Sequence, residues 1–208
     1  MDGVLVDSQP FHFEVDRAVL AACGHAVPLE VVQRYAGMSN PNRWAKYKAD
    51  FALTQSVDAL IALHVETIMA RLDAADLQAI PCIPALLAML REKGLRLAVA
   101  SSSSYDFIYK MLDKIGIRGA FTHIISGEDM VNSKPAPDIF LHAAKMLGCE
   151  TAECVVVEDS ASGVCASVVA DIACVGYRNW NSGEQDLTGA DWIVEDFAVL
   201  MEDEAWLA

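Results

Sequence analysis

The chain has 208 residues, 54% of them hydrophobic, and a formal net charge of −14. That length carries one full domain plus a small second one with a buried core, and so acidic a surface disfavours nucleic acid or anionic membrane as a partner. No apolar run approaches the ~20 residues of a membrane span, Met1-Asp2-Gly3 does not open a secretory signal, and the cysteines (Cys23, Cys82, Cys149, Cys154, Cys165 and Cys174) lack C-x-x-C or zinc spacing, which implies reduced thiols in a cytoplasmic protein.

The first third reads as helix. Phe11, Val15, Ala18, Val19 and Ala22 fall at helical spacing after Ser8, and Gly24 supplies a stop. Further helices are predicted over Leu29 to Tyr35, Pro41 to Phe51 and Val57 to Leu72, with no period-two pattern among them. From Pro81 onward helix and strand alternate. Helix Pro84 to Lys93 ends at Gly94 and precedes the apolar run Leu95 to Ala100; helix Tyr105 to Ile115 ends at Gly116 and precedes Phe121 to Ile125. Helix Pro137 to Leu147 ends at Gly148 before Cys154 to Val157, helix Ala161 to Ala170 leads to Ile172 to Val175, and a short strand covers Trp192 to Val194. Glu202-Asp203-Glu204 reads as a solvated helix face. Short continuous apolar runs between glycine-stopped helices imply a parallel sheet covered on both faces. The fold expected is α/β: a doubly wound parallel-sheet core over residues 1–8 and 80–208, with a small all-helical insertion over residues 9–79.

Ligands of such sheets bind at the carboxyl ends of the strands, and the polar clusters sit there. Ser101 to Ser104 follow the first run, Lys134 lies between Ser133 and Pro135, and Glu158-Asp159 follow the third run. Each has a plain reading: a serine-rich helix cap, a surface lysine in a proline turn, an acidic helix start. Asp2 could be a solvated terminal charge.

Together the segments resemble the haloacid dehalogenase (HAD) superfamily, in order and over essentially the whole chain. Met1-Asp2-Gly3-Val4-Leu5-Val6-Asp7-Ser8 resembles the tail of its D-x-D-G-[VT]-[LI]-x-D-[ST] signature; Ser101, Lys134 and Glu158-Asp159 match its second, third and fourth motifs. The resemblance implies phosphoryl transfer through an aspartyl-phosphate. Asp2 would be the general acid/base, Ser101 and Ser102 would hold the phosphoryl oxygens with backbone N–H groups, and Lys134 would clamp charge. Mg²⁺ would be held by Asp2 through its main chain, by Glu158 and by Asp159. Such an ion supplies the local positive charge that an acidic protein needs for a phosphorylated substrate. The metal acids argue against metal-free dehalogenation, leaving a phosphatase of small phosphorylated metabolites, monomeric or weakly dimeric. The alternative is a phosphomutase.

The helical insertion resembles the cap of the β-phosphoglucomutase-like branch. His12 falls where that mutase carries a histidine restraining its acid/base, and Gly37-Met38-Ser39 resembles its G-x-S segment, with Ser39 facing substrate. The mutase follows this serine with an arginine gripping the distal phosphate; here Asn40 stands in that place and Arg43 is the remaining candidate. Trp44 and Trp180 read as packing groups. The nucleophilic aspartate of the pattern belongs one position before Met1, at the end of an apolar central strand. The expectation is therefore that Met1 is an internal methionine and that a polypeptide beginning there is inactive; the other possibility is a non-catalytic phosphate- and metal-binding relative.

Overall fold

The computed structural model describes residues 1–36 and 38–207, so Gly37 of the expected G-x-S segment lies outside the described residues. Contacts divide the chain into two compact units, Met1–Asp7 with Leu77–Ala208, and Ser8–Asp76.

In the second unit the helical spacing becomes α1 (Gln9–Ala22), α2 (Leu29–Gln33), α3 (Asn40–Asp50) and α4 (Val57–Leu72). Pro10 sits in the first turn of α1, where a missing N–H costs nothing. Ser56 caps α4 by accepting from the Ala59 N–H at 3.1 Å. The buried stripe of α4 is Leu60, His64, Ile68 and Leu72, four apart, and α4 packs on both α1 and α3. The stripe of α1 differs from the expected one. Phe13, Val15, Asp16, Val19 and Leu20 are buried, while Phe11 and Ala18 are half-buried and Ala22 is exposed.

The cause is electrostatic: α1 turns a charged residue inward because it has partners there. Asp16 meets Arg43 Nε at 2.9 Å and His64 Nε2 at 3.2 Å, and accepts from Tyr47 Oη at 3.1 Å. Burial holds the His64 imidazole below its ordinary value, Asp16 pulling the other way. Burial and the Asp16 charge push the Tyr47 phenol up.

In the first unit the strands are β1 (Ala98–Ser101), β2 (His123–Ser126), β3 (Val155–Glu158), β4 (Ala173–Tyr177) and β5 (Trp192–Val194). Between them run α5 (Ile83–Glu92), α6 (Tyr105–Lys114), α7 (Asp138–Leu147) and α8 (Ala161–Val169). The helix expected at the acidic cluster is α9 (Ala198–Glu202), which ends at Glu202 and leaves Asp203 as its C-cap. β1 begins later than its apolar run because Leu95 closes the turn after α5, its N–H donating to Leu90 O at 3.1 Å.

All ladders are parallel, but they form two sheets, β1-β2 and β3-β4-β5. Alternate residues face opposite apolar layers: Val99, Val155 and Val157 join Leu86, Ile108 and Phe197, whereas Ala98, Ala100 and Val156 join Phe140, Ala143 and Ile172. Between β1 and β3 lies an apolar slot of about 450 Å³, lined among others by Met1, Leu86, Val99, Phe140, Val156 and Val157. Among the described residues each of these two strands has one ladder partner only. The doubly wound sheet is thus present in two parts.

Candidate active site

Three polar clusters converge at the carboxyl ends of β1 and β3. Lys134, which precedes a cis peptide bond to Pro135, places Nζ 3.3 Å from the Ala100 carbonyl and 2.6 Å from Glu158 Oε1. It also lies 4.5 Å from the Phe140 ring centroid. Both side chains of the ion pair are 10% exposed. Glu158 Oε2 accepts from the Asp159 and Ser160 N–H groups, each at 3.1 Å, and from Ser160 Oγ at 2.9 Å. Ser160 in turn caps α8 through the Gly163 N–H. A side chain at Gly163 would overlap the Glu158 carboxylate, so the glycine makes room for the acid.

Asp159 accepts from Ser182 Oγ at 2.6 Å. Gly3, at φ +72°, passes so close that a β-carbon there would overlap the Asp159 carboxylate. The two neighbouring acids are pushed apart. Burial alone would raise Glu158, but the Lys134 charge, the Lys134 hydrogen bond, the terminal amine and Ser160 hold it below its ordinary value. Burial and the adjacent Glu158 charge raise Asp159 from 3.8 to about 6, against the Ser182 hydrogen bond and the terminal amine.

Asp2 Oδ2 accepts from Ser103 Oγ at 3.1 Å. Of the expected phosphate serines, Ser101 is buried and its Oγ accepts from the Ser103 N–H at 3.2 Å, while Ser102 is exposed. Ser126, ending β2, donates to the Ser103 carbonyl at 2.6 Å and so fixes the turn. Helix α6 is not capped by a serine; Ser104 makes no side-chain cap bond, and Glu128 accepts from the Tyr105 N–H at 3.0 Å.

Ser103, Ser182, Ser160 and Asn179 were not anticipated. Asn179, after β4, donates from Nδ2 to the Gly3 carbonyl at 3.0 Å and to Asp7 Oδ1 at 3.4 Å, and Asn181 donates to Asp7 Oδ2 at 2.6 Å. The one signal that could have found them is their place just after strands; nothing in their own spelling marks them. A hollow of about 500 Å³ opens beside Asp159, lined also by Arg178, Asn179 and Trp180. Trp180 is 73% exposed and is not a packing group, in contrast to the fully buried Trp44.

The remaining expected residues belong to the helical unit. His12 lies in the first turn of α1 with its ring stacked on His64 at 6.1 Å. Ser39 is exposed at the N-cap of α3 and makes no side-chain cap bond. Arg43 is buried against Asp16 and also donates to Asn40 Oδ1 at 3.0 Å, so it is committed to the interior of its own unit.

Among the described residues no three or more His, Cys, Asp or Glu side chains gather as a metal cage. Glu158, expected beside Asp159 as a metal acid, has one oxygen on Lys134 and the other on donors at the start of α8. Asp159 is a buried carboxylate with a raised pKa beside a second acid, the kind of donor that a cation relieves. The residues fit a hard ion held by one protein carboxylate, main-chain oxygen and water, as Mg²⁺ prefers.

Comparison with known proteins gives a consistent result. The chain is 29% identical over 208 residues to the plasmid phosphoglycolate phosphatase of Cupriavidus necator, covering 96% of this chain and 88% of that one. It is 27% identical over 217 residues to the β-phosphoglucomutase of Bacillus subtilis, covering 99% and 92%. Its fold matches CbbY from Rhodobacter sphaeroides in complex with phosphate at a TM-score of 0.80, with 24% identity over 96% and 93% of the two chains. The family model described as haloacid dehalogenase-like hydrolase matches residues 1–177, and the chain therefore belongs to the haloacid dehalogenase-like hydrolases.

Proposed function

We propose that the protein hydrolyses phosphate monoesters of small metabolites, sugar phosphates foremost, through an aspartyl-phosphate. The observation that carries this is the buried Lys134–Glu158 pair between the ends of β1 and β3, beside Asp159 and within the same unit as the Asp2–Ser103 contact. A fixed ammonium of this kind is a preorganised counter-charge for a transferring phosphoryl group. Phosphatases and a phosphomutase among the relatives support the same chemistry.

The attacking carboxylate would stand one position before Met1. Its oxygen attacks phosphorus, the bond from phosphorus to the ester oxygen breaks, and Asp2 gives its proton to the leaving alkoxide. Asp2 then takes a proton from water, whose oxygen attacks phosphorus while the bond from phosphorus to the aspartyl oxygen breaks, releasing inorganic phosphate and the free carboxylate. Lys134 faces the charge that develops, held in place by Glu158. Ser103 orients the Asp2 carboxylate. Asp159 and the main-chain oxygen of Asp2 would hold Mg²⁺, which supplies charge neutralisation for the phosphoryl oxygens. The helical unit would select the substrate, with Ser39 as a contact.

Hydrolysis is favoured over mutase chemistry because Arg43, the remaining candidate for a distal-phosphate grip, is buried against Asp16. The test is a panel of sugar phosphates, phosphoglycolate and p-nitrophenyl phosphate, with and without Mg²⁺, on a protein carrying an apolar strand and an aspartate before Met1. Metal-dependent phosphate release is expected. No turnover on any ester, or turnover unaffected by chelation, defeats the proposal.

A further inference from the structure

An exposed indole stands on a tightly fixed loop beside the phosphate site. Trp180 is 73% exposed, and it opens the short turn Trp180–Ser182 that follows β4. The turn is pinned at several points. The Asn181 N–H donates to Asn179 Oδ1 at 2.9 Å, and Asn181 Nδ2 donates to Asp7 Oδ2 at 2.6 Å. Buried Ser182 donates from Oγ to Asp159 Oδ2 at 2.6 Å, and its carbonyl accepts from Gln185 Nε2 at 3.0 Å. Gln185 Oε1 in turn accepts from the Ala161 N–H at 3.1 Å, which ties the loop to the start of α8. The indole is therefore held in water by a fixed frame, close along the chain to the hydroxyl that holds Asp159. Single exposed apolar side chains are common on protein surfaces. Trp180, however, borders the hollow of about 500 Å³ that also contains Asp159, with Arg178 and Glu184 in its lining. The Arg178 guanidinium lies 5.8 Å from the indole ring centre, and its Nε meets Glu195 Oε1 at 3.4 Å. A hollow of this size accepts a small-molecule ligand, and its lining belongs to the unit that carries Lys134.

We propose, on the phosphatase reading above, that Trp180 is a specificity-determining residue whose indole face receives the ring of a cyclic sugar phosphate, with the phosphoryl group beside Asp159. An indole face is apolar and carries the negative side of the ring quadrupole, so it suits the polarised C–H face of a sugar ring. The hydroxyls of that ring both donate and accept; Arg178 supplies donors and Glu184 an acceptor in the same hollow. A nucleobase is the poorer occupant, because the amides that would read its edge are spent inside the loop. Asn179 is taken by the Gly3 carbonyl and the Asn181 N–H, and Gln185 by the Ser182 carbonyl and the Ala161 N–H. An open-chain phosphate ester offers the indole no ring face.

The experiment is calorimetric titration of the 208-residue protein in the presence of Mg²⁺. The ligands are inorganic phosphate, glucose 6-phosphate, its open-chain counterpart sorbitol 6-phosphate, and adenosine monophosphate. Glucose 6-phosphate is expected to bind several-fold more tightly than inorganic phosphate or sorbitol 6-phosphate. Trp180→Ala, which removes an exposed side chain, should erase that gain and leave the affinity for inorganic phosphate unchanged. Trp180→Phe keeps an aromatic face and should retain most of the gain. Equal affinity for glucose 6-phosphate and sorbitol 6-phosphate overturns the proposal, as does a ring preference that survives Trp180→Ala. Tighter binding of adenosine monophosphate than of glucose 6-phosphate, or no binding of any of the four, overturns it as well. The hydrolase reading is decided by turnover of the protein extended before Met1, so failure of one is distinguishable from failure of the other.

Discussion

Lys134 Nζ lies 2.6 Å from Glu158 Oε1, with both side chains 10% exposed, so neither charge has bulk water to fall back on. Breaking such a pair from one side leaves an uncompensated buried charge and costs about 3–5 kcal/mol, whereas replacing both with neutral groups of similar volume costs far less. Lys134→Ala and Glu158→Ala are each expected to lose stability of that order in urea denaturation, and Lys134→Met with Glu158→Gln should recover most of it. In a catalytically complete protein Lys134→Ala should also lower turnover about 10²–10³-fold. Additive losses in the double variant would contradict the pairing.

Asp159 yields a prediction of definite sign. Its folded value is raised to about 6 from 3.8, by burial first and then by Glu158. Its contribution to stability is therefore fully present below 3.8 and is lost as pH rises through about 6. A bound cation offsets that loss, and the proton must leave before it binds. Mg²⁺ should accordingly raise the melting temperature more near pH 8 than near pH 5. At a hundredfold excess over its dissociation constant the gain is about 2.7 kcal/mol, or on the order of 5–10 °C. Asp159→Asn should abolish the Mg²⁺ response, and an equal shift at both pH values would argue against Asp159 as the ligand.

His64 behaves oppositely. Its folded value is depressed by burial, so its contribution is present above the unfolded value of about 6.5 and is lost as pH falls through the lower folded value. The protection of α1 and α4 amides against hydrogen exchange, relative to their intrinsic rates, should fall on acidification, and His64→Gln should flatten that dependence. Exchange in α8, in the other unit, provides the internal comparison. Identical pH profiles for wild type and His64→Gln would exclude the effect.

The slot between β1 and β3 leads to a prediction about polypeptides of different length. Its walls are the alternating faces of two strands of four residues each, which at about 3.3 Å per residue asks for a parallel segment of matching length. Met1 lines the slot and its terminal amine opposes the effect of burial on both Glu158 and Asp159, so a segment joined to it would start beside β1 and β3. Five apolar residues and an aspartate placed before Met1 should slow exchange of the β1 and β3 amides and raise the melting temperature. The same protein should form an acyl-phosphate that the polypeptide starting at Met1 does not. A glycine–serine extension of equal length should do neither. Equal protection by both extensions would show that the slot does not take a strand.

Much of this molecule was legible in its sequence. The helix over Val57–Leu72 and the strand over Trp192–Val194 appear with the predicted bounds, because each depends on local spacing and adjacent stops. Polar clusters after apolar runs marked Ser101, Glu158 and Asp159, and the family resemblance added Asp2 and Lys134; the structure holds all five in one unit. What needed the tertiary structure was how these groups are partnered. No spacing in the sequence says that Asp16 turns inward to Arg43 and His64, 27 and 48 residues away, or that Ser103 rather than Ser102 meets Asp2 across 101 residues of chain. Nor does it say that Glu158 spends both oxygens on Lys134 and the start of α8 while Asp159 stays raised beside it. Helix and strand follow from the period of neighbours along the chain, but the charge state and orientation of a buried group follow from whichever distant donors the packing brings within about 3 Å.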